Sequence, residues 1–179
     1  GHVVGIAEWT QKESSPDEIT RWRADPRLGF CVKTGNVYGL DIDEDAPEVA
    51  ARVEKVLTDG LGALPCRVRA NSGKRLLAVR VDRELTKRII KTSSGRIELL
   101  GKGQQFIAAG THPSGVRYEW RGGLPENIPT VTADELLAAW GEAERLLAVP
   151  KVRALPLEHI GDQDLCRPRN AISLPSEVL

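Results

Sequence analysis

Hydrophobic positions recur at two different spacings along the chain, and these spacings distinguish helices from strands. Apolar residues three and four positions apart predict helices over residues 16–24, 47–59 and 133–148. Alternating apolar and polar residues predict strands over residues 28–33, 37–43, 66–69, 75–81, 96–100, 104–108 and 117–120. Because the two kinds of element are interspersed, we predict an α/β (α+β) domain with a central mixed or antiparallel sheet flanked by helices.

The ends of the predicted helices are marked by their flanking residues. Ser15 with Glu18, and Thr132 with Glu135, have the spacing of capping boxes at helix starts. From Lys151 onward the chain shows no sustained hydrophobic period. We therefore predict one domain over residues 1–150, followed by a linker or C-terminal tail over residues 151–179.

Three short polar or glycine-containing stretches predict turns between strands. Residues 34–36 are expected to join the first two strands as a hairpin, and residues 71–73 to join the next pair. Residues 101–103 are expected to return the chain antiparallel to strand 96–100. Each turn therefore predicts that strands consecutive in the chain pair with each other.

The charge of the chain is balanced overall but uneven locally. The 179 residues have a formal net charge of zero, so no nucleic-acid partner can be argued from global basicity. Between residues 67 and 91, however, nine basic residues face two acidic ones, whereas acids cluster at residues 41–45. A nucleic-acid or phosphate partner would therefore be recognised by one part of the chain.

The cysteines and the longest apolar runs bound the environment of the protein. Cys31, Cys66 and Cys166 are widely separated and form no C-x-x-C pair, which argues against structural zinc and a disulfide framework. We therefore expect a reducing, cytoplasmic location. No run approaches the roughly 18–20 apolar residues of a membrane span, so we expect no membrane association.

The acidic cluster contains a pair of carboxylates with strand spacing. If residues 37–43 form a strand, Asp41 and Asp43 leave the same face with Cα atoms roughly 6.5–7 Å apart. This spacing suits acids that share metal ions. The alternative is an acidic strand-to-helix turn in which Asp45 or a neighbour caps the next helix.

Other acidic and phosphate-binding motifs do not match. An EF-hand loop that began at Asp41 would need Gly where Ala46 stands and a bidentate Glu where Arg52 stands. The chain contains neither the P-loop pattern nor the G-x-S-x-G pattern of hydrolases. These classes are therefore excluded.

Three features follow one another on separate predicted strands: the Asp41-Ile42-Asp43 motif, the basic turn Ser72-Gly73-Lys74-Arg75, and Glu98 before a Gly-rich turn. This order resembles the N-terminal primase–polymerase (prim-pol) domain of the archaeo-eukaryotic primase superfamily, found in plasmid, phage and prophage replication proteins. Residues 103–115, followed by Tyr118-Glu119-Trp120, are similar to the phage members in particular. The resemblance extends over residues 5–148, and its specificity lies in the ordered set.

The resemblance implies that Asp41, Asp43 and Glu98 are catalytic and bind divalent metal. Carboxylate oxygens suit hard cations, so the implied cofactor is Mg²⁺ or Mn²⁺ rather than zinc. Two such ions can activate a primer 3′-oxygen and stabilise the leaving pyrophosphate. For Glu98 an alternative stays open, in which it is an exposed strand residue paired with Arg96 or with a lysine on a neighbouring strand.

Charge, the glycine-containing turn and strand position indicate two groups of residues that would contact ligands. Those expected to bind nucleotide are Ser72, Lys74, Arg80 and His112, and those expected to bind DNA are Arg67, Arg69 and Arg75. Strand alternation predicts that Lys74 and Arg80 share one face and that Arg75 lies on the other. His112 has the alternative role of shaping its own turn, and Tyr118 is expected to anchor the core.

One position departs from the family pattern. Many members have a nucleotide-binding His in a Ser-Gly-x-x-His motif, and the matching residue here is Leu76. Its absence favours either a substitute cation, for which Lys74 and Arg80 are the natural choices, or a loss of activity.

Together these features predict template-directed nucleotidyl transfer, as a DNA primase, a DNA polymerase or both. The expected partners are a single-stranded DNA template, an NTP or dNTP, and a helicase domain or separate helicase. One alternative is a catalytically weakened module that binds nucleotide or single-stranded DNA in a replication or defence complex. Another is a metal-dependent nuclease that uses the same acids.

Overall fold

The computed structural model describes residues 11–25 and 28–148, which form three helices and nine strands. The helices are α1 (Pro16–Ala24), α2 (Pro47–Leu61) and α3 (Ala133–Leu147). The strands are β1 (Phe30–Lys33), β2 (Val37–Glu44), β3 (Cys66–Arg69), β4 (Ser72–Val81), β5 (Arg88–Lys91), β6 (Gly95–Leu100), β7 (Gln105–Ala109), β8 (Tyr118–Trp120) and β9 (Thr130–Val131). The linker or tail predicted from residue 151 lies outside the described residues.

The main sheet has seven strands, and β2 lies at its centre. Its order is β5-β6-β2-β4-β3-β8, and all of these pairs are antiparallel. The short β9 runs parallel to the end of β4. The fold is therefore mixed α+β around a mainly antiparallel sheet, which confirms the predicted class.

One face of the main sheet packs against helices α2 and α3. Leu40 and Ile42 of β2, Leu57 of α2 and Trp140 of α3 are fully buried in this core. Burying each such side chain contributes about 1.5–3 kcal/mol, so this face supplies much of the driving force for folding. Alternation along β2 then directs the intervening residues to the opposite face.

The opposite face is only partly covered, by a small sheet of β1 and β7. Phe106 and Ala108 of β7 join a second apolar cluster with residues of the main sheet. The main-sheet members of this cluster are Val37, Leu76, Ala78 and Leu100. The covered part adjoins the positions of Asp41 and Glu98. Asp41 pairs with Leu76, and Glu98 lies two residues before Leu100 on the same face of β6.

Two of the three predicted hairpins are wrong. Strand β1 pairs with β7 rather than with β2, and β6 pairs with β2 and β5 rather than with β7. The buried Thr34 explains the difference, because its hydroxyl donates to the carbonyl of Gly101 and accepts from the N–H of Gln104. The two turns therefore lie side by side as corners through which the chain passes from one sheet to the other. The predicted hairpin between β3 and β4 is confirmed.

The predicted helix starts are confirmed. Both capping boxes are formed, by Ser15 with Glu18 and by Thr132 with Glu135. The longest described helices, α2 and α3, have 15 residues each, and no described helix is long and apolar enough to cross a membrane.

Glu44, rather than Asp45, ties strand β2 to helix α2. Its buried carboxylate accepts hydrogen bonds from the N–H of Ala46 at 3.0 Å and from the hydroxyls of Thr92 and Ser94. Burial alone would raise the pKa of Glu44, but these hydrogen bonds outweigh it and lower the pKa. Since Glu44 lies on the helical face, this turn does not use the carboxylates of the other face.

Gly95 of β6 packs closely against the backbone of β2, and this contact gives a first prediction. A Cβ at Gly95 would collide with the carbonyl oxygen of Asp43 and lie 2.9 Å from the Cα of Glu44. We expect Gly95→Ala to lower the free energy of unfolding by about 1–3 kcal/mol, measured by urea denaturation.

The matched control is Gly141→Ala in helix α3, where a Cβ would meet nothing within 4 Å. That substitution should raise the free energy of unfolding by about 0.5–1 kcal/mol. Equal midpoints for Gly95→Ala and the wild type would contradict the close packing of β6 on β2.

Candidate active site

The three acids singled out from the sequence lie on one face of two adjacent strands. Asp41 of β2 pairs directly with Glu98 of β6, and Asp43 pairs with Arg96. Residues paired across antiparallel strands project from the same face, with Cα atoms about 4.5–5.5 Å apart. The prediction that these acids lie on neighbouring strands is therefore confirmed.

Basic side chains neutralise two of these acids. The Nζ of Lys74 lies 2.8 Å from Asp43 Oδ1, and the Nε of Arg96 lies 3.8 Å from Asp43 Oδ2. Glu98 is contacted by Arg96 at 3.0 Å and by Lys87 at 2.6 Å. The ion pairs of the structural alternative for Glu98 are thus present, although its side chain is buried, with only 8% exposed.

The role of Lys87 could not be read from the sequence. Lys87 precedes β5, outside any strand, so no periodic pattern connects it to the acids. Arg96 had a local signal, because it lies two residues before Glu98 on the same strand face.

Asp41 has no ion pair or hydrogen bond to its carboxylate within the described part of the chain. Burial raises the pKa of Asp41 to about 6, and the charges of Asp43 and Glu98 add to the rise against the opposing effect of Arg67. Of the three acids, Asp41 is therefore the one whose carboxylate has no cation in contact among the described residues.

The carboxylate oxygens of the three acids are suitable ligands for a hard divalent cation, but Asp43 and Glu98 are ion-paired with basic side chains. Among the described residues, no three acidic, His or Cys side chains are gathered into a metal-binding group. Asp43 and Glu98 contact basic side chains instead. Because all three acids share one face and Asp41 is unpaired, they could hold Mg²⁺ or Mn²⁺ once these ion pairs are replaced.

Leu76 lies next to the acids. It pairs with Asp41 across β4 and β2, and it is 1% exposed in the apolar cluster with Phe106. On its other side Leu76 pairs with Arg67 of β3. The position that the resemblance matches to a His therefore lies directly beside the acidic row, which consists of Asp41, Asp43 and Glu98. At this position the chain has the apolar Leu76, and Arg67 follows on the next strand.

Arg67 and Arg69 form a basic-aromatic cluster with Tyr118. The guanidinium carbon of Arg67 lies 4.3 Å from the centre of the Tyr118 ring, and that of Arg69 lies 5.8 Å from it. Arg67 also donates to the carbonyl of Ile107, while its buried Nε has no partner in the part of the chain that the structure describes. Tyr118 is half-buried and supports two cations, so the expectation of a core anchor is wrong.

The His112 loop closes this cluster. The His112 ring stands edge-on to Tyr118 at 5.9 Å, and its Nδ1 lies 2.8 Å from the Ser114 hydroxyl. Ser114 accepts from the Asn71 amide at 3.3 Å, which joins the loop to the β3–β4 turn. Slight desolvation and the charge of Arg69 lower the pKa of His112. The loop contacts support the structural alternative for His112, but they also hold its ring at the site.

The β3–β4 turn brings two of the predicted nucleotide-binding residues together. Ser72 Oγ accepts the backbone N–H of Lys74 at 3.1 Å and lies 3.4 Å from Nη2 of Arg69. Ser72 and Lys74 therefore connect the acidic row to the basic-aromatic cluster.

Two of the predicted contact residues lie elsewhere. Arg75 projects to the helical face and forms an ion pair with Glu54 of α2, with 11% of its side chain exposed. Arg80 shares the face of Leu76 but pairs with Val37, four residues and about 13 Å farther along the strand. The structure therefore separates Arg75 from the site face and Arg80 from the acids, against the roles expected for them.

Comparison with protein families agrees with this arrangement. The family model for the N-terminal domain of bifunctional DNA primase/polymerases matches residues 3–133, which include every predicted site residue. Among curated proteins, none matches the chain. Members of the family are DNA primases and polymerases, which implies DNA and nucleotide substrates and, in general, divalent metals. The chain therefore belongs to the family of bifunctional DNA primase/polymerase N-terminal domains.

Proposed function

We propose that this domain extends or begins a nucleic-acid strand on a single-stranded DNA template, using nucleoside triphosphates and two divalent ions. The observation that carries the proposal is the direct pairing of Asp41 with Glu98, with Asp43 on the same face. The cations that a triphosphate requires lie beside these acids. A nucleotidyl transferase needs both groups within one site.

Asp41, Asp43 and Glu98 would hold the metal ions. When bound, Mg²⁺ or Mn²⁺ would make a primer 3′-hydroxyl more acidic and offset charge on the leaving pyrophosphate. Asp41 is partly buried, and its partial separation from water strengthens electrostatic interactions at its carboxylate. Arg96 and Lys87 neutralise Glu98 in the absence of the ions.

The residues beside the acids would bind phosphates. Lys74 contacts Asp43 at 2.8 Å, and the Ser72 hydroxyl accepts the backbone N–H of Lys74, so both are suited to the triphosphate. Arg67 and Arg69, held against Tyr118, can form charge-assisted hydrogen bonds to triphosphate or template phosphates. Because both guanidinium groups are already held against the Tyr118 ring, their side chains lose less conformational freedom when they bind a phosphate.

A catalytically weakened binding module is the second candidate. Leu76 favours it, because a buried apolar side chain beside Asp41 supplies neither a hydrogen bond nor a charge to a nucleotide. The helicase partner and the phage or prophage setting implied by the resemblance stay predictions in either case.

Removal of the acids should abolish nucleotide incorporation. We expect Asp41→Asn and Glu98→Gln to reduce extension and de novo synthesis at least about 100-fold with Mn²⁺ or Mg²⁺. Asp59→Asn, an exposed substitution on α2, is the control and should keep wild-type activity. The assay follows a labelled strand on single-stranded template with NTPs or dNTPs.

The same assay separates the candidates. If the wild-type protein binds DNA but makes no product under these conditions, nucleotidyl transfer is excluded and the binding module is supported. A strand that becomes shorter would indicate a nuclease.

Asp41→Asn should also stabilise the metal-free protein at high pH. The pKa of about 6 lies above the ordinary 3.8, so the cost of ionising Asp41 in the folded protein grows as the pH rises from 3.8 to 6 and is complete above 6. In EDTA at pH 8, we expect the free energy of unfolding to rise by about 1–3 kcal/mol, and at pH 5 by about half as much. Urea denaturation at the two pH values measures the difference.

Asp59→Asn is again the control, because its exposed carboxylate should give no such gain. An Asp41→Asn protein without a gain at pH 8 would show that the ionised carboxylate is well solvated.

The locations of Arg69 and Arg75 predict different effects on DNA binding. Arg69→Gln should weaken single-stranded DNA binding and lower the salt slope of the affinity by about 0.7. Arg75→Gln should leave the affinity and the slope unchanged, because Arg75 is occupied by Glu54 on the helical face. Fluorescence anisotropy at several salt concentrations tests both variants, with circular dichroism to check folding. Equal losses in both variants would contradict a DNA-binding surface on the acidic face.

A further inference from the structure

Lys74 lies between two carboxylates with different roles. Its Nζ is 2.8 Å from Asp43 Oδ1 and 2.8 Å from Asp45 Oδ1. Asp43 belongs to the proposed metal ligands, whereas Asp45 follows β2 and is 69% exposed. The ammonium group therefore occupies an oxygen that a metal ion would need.

The backbone of Lys74 is held in place, whereas its side chain is partly exposed. Gly73 packs so closely on the start of α2 that an added Cβ would lie 3.3 Å from the Cα of Pro47. The N–H of Lys74 donates to Ser72, and about a third of its side chain is exposed. A lysine has a flexible four-carbon stem, so its ammonium can change partners without movement of the strand.

We propose that Lys74 couples nucleotide binding to metal binding by exchanging its carboxylate partners for the triphosphate. In the nucleotide-free domain, Lys74 neutralises Asp43 and Asp45. A triphosphate bound beside Ser72 draws the ammonium away, and Asp43 becomes available to the metal. This inference rests on the proposed function, since it takes Asp43 as a metal ligand.

Lys74 is better placed for this exchange than the other two cations. Arg96 and Lys87 contact Glu98, on the β5–β6 side of the acidic row. Arg96 lies 3.8 Å from Asp43, against 2.8 Å for Lys74, so Lys74 is the closer of the two cations that contact Asp43. Lys74 lies on the β4 side, two residues from Ser72, whose hydroxyl is 3.4 Å from Arg69. A triphosphate that contacts the basic-aromatic cluster therefore meets Lys74 before Arg96.

The first test measures metal binding without nucleotide. We expect Lys74→Gln to bind Mn²⁺ about three- to fivefold more tightly than the wild type in isothermal titration calorimetry, because it no longer competes for Asp43. The matched control is Lys55→Gln, which removes a lysine paired with Asp59 on α2 and should leave Mn²⁺ affinity unchanged.

The second test measures nucleotide binding without metal, by titration with ATP and dATP in EDTA. Asp45→Asn should bind nucleotide more tightly, because Lys74 loses one competing carboxylate. Lys74→Gln should bind nucleotide more weakly, and Asp45→Asn should give no gain in the Lys74→Gln background. This cycle avoids chelation of the metal by the nucleotide.

Two results overturn the coupling. One is unchanged or weaker Mn²⁺ affinity in a folded Lys74→Gln protein, and the other is an equal Asp45→Asn gain in both backgrounds. If the wild type binds Mn²⁺ and incorporates nucleotides, such a result removes only the coupling. A wild type that neither binds Mn²⁺ nor incorporates nucleotides removes the proposed function and the coupling together.

Discussion

The two faces of strand β2 impose the main constraint on this domain. Leu40 and Ile42 anchor the strand in the helical core, and the alternating Asp41 and Asp43 are therefore held on the other face. A shift of one residue in the pairing would place acids in the core and apolar side chains at the site. The register that stabilises the protein is thus the register that assembles the acids, and neither can change without the other.

Charge compensation is the second requirement of this site. Three acids side by side repel one another, and the protein offsets most of that repulsion with Lys74, Lys87 and Arg96. Asp41 is left without a cation in contact, and burial raises its pKa to about 6. A site with partly exposed cations on two acids and none on the third is suited to exchanging partners when charged ligands bind.

The small sheet divides the other face of the main sheet into an apolar part and an acidic part. Phe106 and Ala108 cover Leu76, and Arg67 and Trp120 donate to carbonyls of the same strand, at Ile107 and Ala108. Strand β7 therefore bounds the site, closes over Leu76, and holds Arg67 beside it. Leu76 itself is apolar, and the cation that pairs with it across the sheet is Arg67 on strand β3.

Local patterns in the sequence determined the helices, both capping boxes, the faces of β2 and β4, and the candidate acids, because these depend on residues a few positions apart. The partners of β1 and β6 were decided only by tertiary structure, since a turn such as 34–36 has the same composition at a hairpin and at a corner between sheets. The same holds for Tyr118, whose contact with Arg67 comes from a strand distant in the chain. Lys87 lies close to Glu98 in the chain but outside any strand, so no periodic pattern links the two residues. The sequence by itself therefore determined that Asp41 and Asp43 share a face, because they lie two residues apart on one strand. The pairing of β6 with β2 brought Glu98 beside them, and tertiary structure decided which cations and which covering residues surround the three acids.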